Sequence, residues 1–259
     1  DKAYKSLKKR ETLFAMGAPI YESVAAAQKP PTETDFKMAE LMVRGEGDYV
    51  RAFRQLDIKW KTLPGTLQEL EQLGKLFKNS QIYKKAEATE SQLQSLNQQG
   101  VLANYRYIVF SAHGYLSPQV PELSSIVLGQ INNPAGIDGY VTAGEWAGYN
   151  LKSDLMVLLG VKRSNGAELR STGLGEVVGG EGVMGLPYAL YVAGNKNTIL
   201  TLWSISDEVT TAFVTSFFAK LKAGVGQVEA LTATKREFLN KGGKYANPVY
   251  WAAFVLYGV

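Results

Sequence analysis

A chain of 259 residues with 46% hydrophobic and 11% aromatic content can bury one large α/β core. Its formal net charge of +4, with Lys and Arg spread along the chain, argues for solubility and exerts little pull on an acidic partner, so no nucleic-acid partner is expected. Zero cysteines exclude disulfides, thiolate metal sites and a cysteine nucleophile, and a single histidine, His113, excludes two-histidine metal chemistry.

In chain order, the first element is a short strand from Thr12 to Met16 that breaks at Gly17 and Pro19. Between Ala27 and Gly47, the stretch Lys29-Pro30-Pro31-Thr32-Glu33-Thr34-Asp35 reads as a polar, proline-containing loop. A helix follows over Leu63 to Phe77, with Thr66 as a cap, Glu69 three residues on, and Leu67, Leu70, Leu73 and Phe77 on one face. After a strand from Ser80 to Lys84, a second helix opens at Ala88-Thr89-Glu90-Ser91, again behind a threonine or serine cap, and runs to about Gln99. The run Arg106 to Ala112 is short and apolar throughout, the pattern of a strand buried on both faces.

The alternation continues with a strand from Asp154 to Gly160, a helix from Gly182 to Gly194 and a strand from Asn197 to Trp203. Helices from Asp207 to Ala223 and Val228 to Asn240 and an aromatic ending from Tyr250 to Tyr257 complete it. Strands separated by helical crossovers imply an α/β fold with a mostly parallel sheet and helices on both faces. Functional residues in such sheets collect at the carboxyl ends of the strands. No apolar stretch approaches the length needed to span a bilayer, and Asp1 to Arg10 is too charged to begin a secretory signal, so no membrane partner and a cytoplasmic location are expected.

Two strand ends hold the candidate chemistry. Phe110-Ser111-Ala112-His113-Gly114 places the only histidine directly after a buried strand, where it can act as general acid or base, beside a glycine that permits close approach. Leu158-Leu159-Gly160-Val161 ends the next core strand. The glycine cluster from Gly173 to Gly182 lacks the Gly-Lys-Ser/Thr ending of a phosphate loop and carries two glutamates, so it does not read as a nucleotide site. Dispersed carboxylates and one histidine show no ligand spacing, and no metal or organic cofactor is expected.

Five motifs in order carry a resemblance over nearly the whole chain: Leu63-Pro64-Gly65-Thr66 with the Glu69 helix; Ser111-Ala112-His113-Gly114; Gly180 to Leu186; Leu202 to Thr210; and Asn247 to Phe254. Together they resemble the CHAT domain of the caspase-like cysteine peptidase clan. The resemblance implies a caspase-like three-layer sandwich, a single domain over residues 1–259, and a histidine and cysteine dyad at neighbouring strand ends. The histidine carries over onto His113. Read without a gap, the cysteine falls on Val161 and the usual preceding serine on Leu159, with the Gly114 and Gly160 backbone near the oxyanion.

Anchoring instead on Thr172-Gly173-Leu174-Gly175 moves the nucleophile position to Arg170. Neither reading supplies a thiol; Ser164 and Ser171 are the remaining hydroxyls nearby, both in a polar loop. Asp207 either lines a substrate pocket that favours Lys or Arg, or serves as the cap or first turn of the helix that begins there. Expected partners are a protein or peptide substrate and tetratricopeptide repeats or another regulatory domain. Two readings of function stand: a cysteine endopeptidase domain inactive for want of its nucleophile, or a natural pseudopeptidase that binds a peptide or protein.

Overall fold

A computed structural model describes residues 11–21, 60, 62–116, 121–163, 181–203 and 205–258. The polar loop within 27–47, the Thr172 anchor, Arg170, Ser164 and Ser171 lie outside the described residues.

Five strands form the parallel part of the sheet: Glu11–Pro19 (β1), Ser80–Lys85 (β2), Tyr105–Leu116 (β3), Leu155–Arg163 and Asn197–Thr201. Between β3 and Leu155–Arg163 lie two short strands, Ser125–Val127 (β4) and Tyr140–Thr142 (β5), so the last two parallel strands are β6 and β7. Phe254–Gly258 (β8) completes the order β2-β1-β3-β6-β7-β8, running antiparallel to β7 at one edge. The expected neighbours β3 and β6 do pair in parallel, from Tyr107 opposite Leu155 to Ser111 opposite Leu159.

Side-chain alternation along each strand divides the core into two layers. Leu13, Ala15, Tyr107, Val109, Leu155 and Val157 face one side, where they pack on Pro64–Leu76 (α1), Asp207–Lys222 (α5) and Gln227–Lys241 (α6). Phe14, Met16, Ile108, Phe110, Met156 and Leu158 face the other, against Glu90–Gln98 (α2), Ala143–Trp146 (α3) and Glu181–Val192 (α4). This is the expected sandwich of a mostly parallel sheet between helices. A last short helix, Pro248–Trp251 (α7), leads into β8.

Helix starts follow local chemistry in one case and not in the other. At α2, Thr89 is the cap and its hydroxyl accepts the Gln92 N–H at 3.2 Å, as expected. Helix α1 begins three residues earlier than a Thr66 cap implies. Pro64 takes the first helical position, where its missing N–H leaves nothing unsatisfied, and Leu63 is the cap residue with no side-chain acceptor. Thr66 turns its hydroxyl back to the Leu63 carbonyl at 2.6 Å. The acceptor that α1 lacks comes from another element.

Candidate active site

That acceptor is Asp207. The Gly65 N–H, in the first turn of α1, donates to Asp207 Oδ2 at 2.8 Å, and a side chain at position 65 would collide with the Asp207 side chain. Asp207 is also the first residue of α5, so its carboxylate stands at two helix N-termini, each of which favours negative charge. The structure thus gives Asp207 the first-turn role, and adds a capping bond across elements. It also lines a cavity of about 60 Å³ with Leu63, Thr66, Glu69, Gly160, Thr201, Ile205 and Thr210. Asp207→Ala is expected to lower stability by about 1 kcal/mol, the usual worth of a cap, with Asp207→Asn retaining most of it, as urea unfolding would measure.

Glu69 reaches the same cavity from one helical turn further along α1. It is 4% exposed and accepts a hydrogen bond from the Ser111 hydroxyl, which ties α1 to β3 two residues before His113. Burial pushes its carboxyl up to about 8; the charge of Asp207 adds to that rise and the Ser111 bond opposes it. On the opposite face Glu90, pushed up to about 7 by burial and the charges of Asp138 and Glu145, accepts the Gly139 N–H at 2.6 Å and the Asp138 N–H at 3.2 Å.

Both carboxyls titrate higher in the folded chain than the ordinary value of 4.5. The folded state therefore binds more protons than the unfolded one between that value and about 8. The stability they contribute is fully present below 4.5 and is lost as pH rises through about 7 and then about 8. Urea midpoints measured across this window should fall with rising pH, and Glu69→Gln should flatten the upper part of the decline. A slope unchanged by that substitution would count against Glu69 as its source.

The two strand ends meet through a bulge. Ser111 pairs with Leu159 and Gly114 with Val161, so Ala112 and His113 together oppose the single residue Gly160. Gly160 has φ +82° and its Cα faces the Ala112 carbonyl so closely that a Cβ would lie 2.5 Å from the oxygen. Neither strand ends where expected: β3 continues through His113 to Leu116 and β6 through Val161 to Arg163. The reason is extra pairing. Beyond Ala112, β3 bonds to β4, with His113 opposite Val127 and Gly114 opposite Ile126. His113 is therefore a strand residue and not the first residue of a loop.

His113 does not stand in an open cleft, since the residue is 3% exposed. Tyr21 and Trp60 lie against the imidazole, with ring centroids at 5.1 Å and 5.0 Å. The Tyr21 hydroxyl accepts the His113 N–H and donates to the Val127 carbonyl, both at 2.9 Å. The Trp60 Nε1–H donates to the Tyr140 hydroxyl at 2.7 Å. Sequence reasoning missed all three aromatics. Tyr140-Val141-Thr142 shows only three residues of alternation, and Trp60 stands among lysines with no periodic neighbours. Among the described residues, no helix is long and apolar enough to cross a membrane.

A family model described as CHAT domain matches residues 7–259. A search of solved structures finds similarity to the crystal structure of the Drosophila initiator caspase Dronc, at 9% identity and TM-score 0.39, covering 96% of this chain and 79% of that one. No curated protein matches the chain.

Proposed function

Because the chain belongs to the CHAT domain family, we propose that it is a peptidase-related domain that does not hydrolyse peptides and instead binds a polypeptide at the β3 and β6 strand ends. The observation that carries this reading is the pairing of Gly114 with Val161. It sets beside the histidine strand a residue with no nucleophilic atom, at the position where the resemblance implies the cysteine. Without an activated nucleophile, an amide carbonyl is bound but not attacked.

A specific observation favours natural loss over removal of the nucleophile alone. Leu159, where the resemblance implies a serine, is 1% exposed and belongs to the apolar layer with Val209 and Phe213 of α5. A strand end repacked in this way supports a binding module. The other reading, an endopeptidase domain whose cysteine was replaced, is told apart by the natural coding sequence at position 161. Asp207, exposed beside the cavity, would favour Lys or Arg in the bound segment.

The test runs the chain on a mixed peptide library and follows cleavage by mass and binding by fluorescence anisotropy. Saturable binding without cleavage is expected. Cleavage, or an absence of binding to any member of the library, would overturn the reading. The soluble, cytoplasmic setting and a tetratricopeptide or other regulatory partner belong to the same proposal, and co-purification from a cell extract would test the partner.

A further inference from the structure

At the other end of the sheet, β3 begins beside a cavity of about 350 Å³. Arg106 and Tyr107 line it from the strand, and Gly224 to Glu229, the turn that leads into α6, line it from the helical layer. His113 lies six residues further along β3, about 20 Å away at the rise of a strand, so the cavity is separate from the candidate active site.

Three groups on this cavity donate hydrogen bonds and lack acceptors. Tyr107 is 3% exposed, with its ring packed against Phe77 and Phe218 at centroid distances of 6.3 Å and 6.0 Å. Its hydroxyl makes no hydrogen bond among the described residues, yet solvent reaches it. A buried phenol without a partner is the exception in a folded chain, and one that opens on a cavity is available to a ligand. Burial pushes its pKa up, so it is a donor at neutral pH. Arg106 gives its Nε–H to Asp154 at 2.9 Å, while the two amino groups of the guanidinium have no acceptor among the described residues. Lys196 lies 3.2 Å from the other oxygen of Asp154, so these three side chains together carry one positive charge. Gly226 caps α6 with no side-chain acceptor, which leaves the first-turn N–H groups of a 15-residue helix open to an anion. One carboxylate stands there already. Glu229 Oε2 would lie 2.3 Å from a Cβ at Gly226, so this exposed side chain folds back over the start of α6, where negative charge is favoured.

Leu221 and Leu256 add an apolar wall, and the volume exceeds what an inorganic ion fills. We propose that this cavity binds a small phosphate monoester, with its phosphoryl oxygens on the first turn of α6, the Arg106 guanidinium and the Tyr107 hydroxyl, and its organic group against Leu221 and Leu256. A phosphoryl group has three free oxygens for the three donor sets, where a carboxylate has two. Such a site works whether or not a polypeptide binds at the β3 and β6 strand ends.

Phenyl phosphate and inorganic phosphate are the probes, titrated at constant ionic strength while the backbone amides of Gly224, Gly226 and Val228 are followed by nitrogen-15 NMR. Saturable shifts at these amides are expected, with phenyl phosphate bound several-fold tighter. Arg106→Gln should weaken binding roughly tenfold or more, and Tyr107→Phe about threefold to tenfold, because each removes a donor to a charged ligand. Tyr107→Phe keeps the ring packing, so the test stays usable if Arg106→Gln fails to fold, and thermal melting by circular dichroism checks each protein. Glu229→Gln should tighten binding a few-fold, since it removes the carboxylate that competes for the helix start. No saturable shift with either probe, or affinities unchanged by both Arg106→Gln and Tyr107→Phe, overturns the site. Equal affinity for the two probes overturns the organic group, and an unchanged or weaker affinity in Glu229→Gln overturns the placement at α6. A short phosphotyrosine peptide that binds far tighter than phenyl phosphate would overturn the small molecule in favour of a phosphorylated polypeptide.

Discussion

Val161→Cys is expected to turn a chain with no peptide turnover into one with measurable turnover. The substitution supplies the missing atom at the residue paired with Gly114, next to the strand that carries His113. The thiolate then attacks the scissile carbonyl, the carbon–nitrogen bond breaks as histidine protonates the leaving amine, and water hydrolyses the thioester. Backbone N–H groups at the strand end stabilise the oxyanion. A positioned histidine is worth about 10²–10⁴-fold in such a step, so His113→Ala in the Val161→Cys background should remove nearly all of the gain. His113 is 3% exposed, so turnover by Val161→Cys should be slow. Equal turnover with and without His113 would show that the histidine does not serve the new thiol. Cleavage by the unaltered chain that His113→Ala abolishes would mean that a hydroxyl, Ser164 or Ser171 first, had been the nucleophile throughout.

The parallel core was legible because its signals are local and redundant. Val109 and Val157 lie in apolar runs bounded by polar residues, and such runs have few structural solutions other than strands buried on both faces. The helix behind Thr89 was legible for a similar reason, since its cap and first turn are adjacent in sequence. What escaped depends on partners distant in the chain. The acceptor for the start of α1 lies 142 residues away at Asp207, so no local pattern distinguishes Leu63 from Thr66 as the cap residue. The same holds for the site. His113 was found because it is the sole histidine and follows an apolar strand, yet its enclosure depends on Tyr21, 92 residues away, and on a three-residue strand pair too short to show periodicity. The antiparallel course of β8 was likewise hidden, because Phe254–Gly258 reads as an aromatic run whatever its direction.

Gly160→Ala should be among the most destabilising single methyl additions in the protein, and it tests the bulge on which the site geometry depends. Two costs combine at this position. The backbone sits at φ +82°, where any side chain is strained, and the added Cβ would stand 2.5 Å from the Ala112 carbonyl oxygen and 3.3 Å from Leu63 Cδ1. The first cost alone is about 1 kcal/mol. The second cannot be relieved by rotating a side chain, because the nearest atom is backbone in the bulge between the ladder pairs at Ser111 and Gly114, so the strands must separate at Ala112, at a further cost of about 1–3 kcal/mol. Gly136 provides the control: it shares the left-handed conformation, at φ +83°, but nothing lies within 4 Å of a Cβ there. Gly136→Ala should therefore show only the backbone cost, and the difference between the two variants should isolate the close approach of β3 to β6. At about 2–4 °C per kcal/mol for a chain of this size, Gly160→Ala should melt roughly 5–15 °C lower than the unaltered protein. It should also speed carbethoxylation of His113, the chain's single histidine, by diethyl pyrocarbonate, since separating the strands at Ala112 moves the residue that follows it. Equal losses in the two glycine variants would mean that Ala112 yields freely, and that the bulge does not rigidly set the spacing between His113 and Val161.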